Sequence, residues 1–98
     1  MRPTPPDLEG LPGADLVSRG LTDLEAGRDT PAAALVRMAA PRLRAVGLPV
    51  PSEPTGNPGH RLYELLAEED RAAAHSRYNA LVGRVVSFAR AAEHARAG

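Results

Sequence analysis

The chain has 98 residues, no cysteine, and 12 basic against 12 acidic residues, for a formal net charge of +0 at neutral pH. That length holds one domain with a modest core. The lack of cysteine removes a disulfide framework and thiolate zinc sites, and no run approaches the roughly 18 apolar residues of a membrane span.

A cytoplasmic protein without membrane contact is the expectation. Neutral balance also speaks against a chain that lives on phosphate backbone, because counterion release needs a basic surface. Every basic residue is arginine. With Ala, Gly and Pro abundant beside it, this reads as the coding bias of a GC-rich bacterial genome rather than as selection for bidentate contacts. Charge is uneven, however. Residues 71–98 hold five arginines against Glu93 alone, an excess of four positive charges that the first seventy residues must offset.

Residues 1–12, with four prolines and no periodicity, read as a flexible N-terminal arm, and residues 13–98 as a single helical domain. A first helix is expected from about Ala14 to Ala26, since Leu16, Val17, Leu21 and Leu24 recur at helical spacing and Gly27 can close it in a left-handed conformation. Gly20 in its middle costs about 1 kcal/mol relative to Ala and points to a close approach by another helix.

The second helix has a clear start. Thr30 can cap the first turn while Pro31 sits where no amide donor is needed. Leu35, Met38 and Ala39 are its expected inner face. Pro41 removes a helical hydrogen bond, so a kink or a restart is predicted there, with a further short helix to Gly47. Residues 48–59, rich in proline and glycine, read as an extended connector crossing the outside.

A short helix from His60 carries Leu62, Leu65 and Leu66. At about 100° per residue these point away from Tyr78, Leu81 and Val85, so a straight helix would put its leucines opposite its own main stripe, and a break near Glu69-Asp70 with Asp70 as cap is predicted. Beyond it, Ala74, Tyr78, Leu81, Val85, Phe88 and Ala92 alternate four and three apart, widened by Val82, Val86 and Ala89. This long last helix is the expected spine. The fold class is all-α: a compact bundle of four or five helices with a long C-terminal helix and a proline-rich connector.

The opposite face of that helix carries a stripe of small residues, Ser76, Ala80, Gly83, Ser87 and Ala91, with Arg77 and Arg84 at its margins. Small residues in register let another backbone come close, so this face is the candidate partner-binding surface, most simply for the same helix of a second copy in a homodimer. His75 and Asn79, at i and i+4 on the edge of the apolar stripe, read as a structural polar edge, bonding each other or a buried carbonyl.

Catalytic chemistry finds little footing. His60 and Glu64 have the spacing of a two-ligand helical metal site, but His75 and His94 are not brought to them by any motif. Arg71 with His75 and Arg90 with His94 lie one turn apart, as an anion binder and proton carrier could, yet no nucleophile set, phosphate loop or carboxylate pair accompanies them. No enzyme activity, metal or cofactor is therefore expected. The helix pair joined at Gly27–Thr30 has a helix-turn-helix length, but its second helix offers almost no base-reading side chain. What remains is a protein–protein interaction or self-assembly module, with a weak nucleic-acid-binding regulator using the basic C-terminal helix as the alternative.

Overall fold

The computed structural model describes residues 10–51 and 57–97, with side chains up to Ala95, so the predicted arm over 1–9, the middle of the predicted connector and the Arg96 side chain lie outside the described residues. Five helices follow one another: α1 (Ala14–Glu25), α2 (Pro31–Met38), α3 (Ala40–Ala45), α4 (Pro58–Glu69) and α5 (Ala74–Ala97). A single 3₁₀ turn, Arg71–Ala73, joins the last two. Among the described residues there is no strand, and the compact all-α class is as expected. At 24 residues α5 is about 36 Å long, which sets the 41 Å long axis of the molecule.

The local signals act as anticipated. Gly27 has φ 74 and ends α1. The Thr30 side chain accepts from the Ala33 amide at 3.1 Å and Pro31 opens α2. Pro41 separates α2 from α3 as a restart rather than a bend within one helix. Asp70 leaves helical geometry at φ −160, ψ 96, and its carboxylate accepts from the amides of Ala72 and Ala73 at 3.1 and 3.3 Å. The phase conflict between the leucines of α4 and the stripe of α5 is thus resolved by a change of direction at Asp70. Leu62 and Leu66 are fully buried on one helix, as are Phe88 and Ala92 on the other.

Three expectations need correction. The inner face of α2 is wider than the Leu35, Met38, Ala39 stripe: Ala32 to Val36 are all buried, and Met38 and Ala39 pack against the core while only partly buried. This helix lies between α1, α4 and α5 and has no solvent face over that run. A helix-turn-helix reading fails for the same reason, since its would-be reading helix is the centre of the core. Next, α4 begins at Pro58, inside the predicted connector, because Asn57 caps it through His60 N at 3.1 Å just as Thr30 caps α2. Last, the connector does not begin outside. Leu48 and Val50 insert into the core, and Arg44 fixes that segment by donating to the carbonyls of Val50 and Pro51 at 3.0 and 2.9 Å.

The core joins all five helices: Leu16, Val17 and Leu21 of α1, Leu35 and Val36 of α2, Leu43 of α3, Leu62 and Leu66 of α4, Val85 and Phe88 of α5. Cover over the α5 stripe is complete toward its carboxyl end and partial at Tyr78, Leu81, Val82 and Val86. Helices α1 and α2 approach closely at Gly20. A Cβ at Gly20 would collide with the carbonyl of Ala32 and a methyl of Val36, so the glycine sets the helix separation. Gly20→Ala should therefore lower stability by about 2 kcal/mol, overpacking outweighing the gain of about 1 kcal/mol in helix propensity. Urea denaturation checks the sign.

Candidate functional site

The seven residues proposed from sequence for partner binding share one side of α5. Ser76, Arg77, Ala80, Gly83, Arg84 and Ser87 are exposed and Ala91 is partly covered. What the sequence could not show is that both arginines turn back onto their own molecule. Arg77 donates to Glu69 at 2.7 Å, across the break that Asp70 makes. Arg84 donates to Asp15 of α1 at 3.1 Å. Between them the face is small side chains, and at Gly83 a Cβ would meet nothing within 4 Å among the described residues.

His75 and Asn79 do form a pair, with Asn79 Nδ2 3.3 Å from His75 Nε2. Both are exposed, so they bond each other and not a buried carbonyl. They lie on the same side of α5 as Val82 and Val86, which with Met38 and Leu35 line an apolar dent of about 140 Å³. Arg42 closes one end of the dent, donating to Glu93 through Nε at 2.9 Å and Nη2 at 2.8 Å. That bidentate bond holds the Glu93 carboxyl below the ordinary carboxylate range and raises the Arg42 guanidinium.

A second feature was missed. The turn after α1, one side of α2 and the first turns of α4 enclose a groove of about 430 Å³. Arg28 and Asp29 come from the turn, Arg37 from α2, and His60, Arg61 and Glu64 from α4. Arg61 spans it, with Nε 2.8 Å from Asp29 and Nη1 3.3 Å from Glu64, and the Asp29 bond is the main cause of its raised pKa. The one available signal was the Asn57-Pro58 cap, which puts Asn57 and His60 on one helical turn. His60 and Glu64 do meet, at 3.3 Å, but among the described residues no third His, Asp or Glu joins them in a metal-holding cluster.

The Arg42–Glu93 pair carries a pH dependence of definite sign. Glu93 has its pKa depressed in the folded state, so its contribution is present in full above the ordinary carboxylate range and is lost as pH falls through the folded value. Glu93→Gln should thus flatten the acid limb of a melting-temperature profile taken from neutral pH to about pH 3. Parallel acid limbs for variant and wild type would refute the assignment.

No family model, curated protein or solved structure matches this chain, so its functional reading rests on geometry and chemistry.

Proposed function

We propose that this is a small helical protein–protein interaction or self-assembly module, cytoplasmic and bacterial in setting, whose contact surface is the outer face of α5. Its simplest occupant is α5 of a second copy, in a homodimer. Gly83 carries the reading. A glycine inside a helix costs about 1 kcal/mol relative to Ala. At Gly20 the fold explains it, since the Ala32 backbone occupies the space a side chain would need; at Gly59 the Tyr78 hydroxyl stands 3.1 Å from the Cβ position. At Gly83, among the described residues, no neighbour from another element lies within 4 Å of the Cβ position, and no left-handed backbone is required. A close approach from outside the chain accounts for it, with Ala80 and Ser87 one turn away on either side keeping the surface low.

Charge favours this over the nucleic-acid alternative. Arg77 and Arg84 already bond Glu69 and Asp15, so a polyanion would have to compete with fixed carboxylates at short range. A flat neutral strip bordered by closed ion pairs suits a protein surface better.

Two substitutions separate fold from assembly. Gly83→Ala should stabilise the folded chain by up to about 1 kcal/mol in denaturant titration, because nothing nearby is displaced. Gly83→Leu should leave the helical circular dichroism intact but dissociate the dimer in sedimentation or light scattering. A wild type monomeric at every concentration, or a leucine variant still dimeric, removes the self-assembly reading.

A further inference from the structure

We draw no further inference here: the strongest candidate, the apolar surface patch that Tyr63 of α4, Tyr78 of α5 and Met38 of α2 form beside the dent lined by Val82 and Val86, carries nothing further because nothing in the structure shows what covers it.

Discussion

The contact of Gly20 with the backbone of Ala32 brings α1 and α2 closer than side chains would allow, and the rest of the bundle is arranged around that spacing. Helix α2 has eight residues, too few for stability in water on its own. Burial on all sides is what holds it, and burial on all sides demands small side chains, hence Ala32, Ala33 and Ala34. Its amino end is secured by a relay. The Ala33 amide donates to the Thr30 hydroxyl, which donates at 2.6 Å to Asp23, a carboxylate only 7% exposed. Each bond polarises the next, and Asp23 also accepts from Arg28, so α1 and the cap of α2 are joined by one network.

Much of this was legible because it is local. Thr30-Pro31, Gly27, Pro41 and Asp70 each act through the backbone of the next few residues, and the phase of the leucines in α4 against α5 is fixed by helix geometry alone. The misses have a common cause as well. Asn57-Pro58 obeys the same capping rule as Thr30-Pro31, yet it sits in a run so rich in proline and glycine that composition outweighed position. Leu48 and Val50 alternate with prolines and were assigned outside, although two apolar residues spaced by one can both reach a core beside an extended backbone. Burial of α2 on every side has no periodic signature, because alanine contributes little to any apolar stripe. Contacts such as Arg42 with Glu93, 51 residues apart, depend on the finished packing and leave no trace in spacing.

The excess positive charge of the last segment also acquires a meaning only in three dimensions. Along α5 it is met at two heights, Arg77 by Glu69 near the start and Arg84 by Asp15 of α1, while the segment's one acid, Glu93, is bonded outward to Arg42 of α3. Exposed pairs of this kind add little stability each. They do favour one placement of α5 over a rotated one, since a turn of the helix would part each pair. Their effect is thus on register, and on what is left outside: the outer face of α5 presents shape more than charge.

The two candidate surfaces follow from the same constraint at α2. Its alanines let α1 close in on one side, and Ala33 and Ala34 also line the groove that faces the first turns of α4. The gap is open to solvent and so must be lined by groups that water tolerates, which is where Arg28, Arg37, His60 and Arg61 stand. Its polar walls stand on α2, on the first turns of α4 and on the turn after α1. On α5 the situation is inverted: among the described residues no element lies over Gly83, so the low surface there is set by the small side chains of α5 itself.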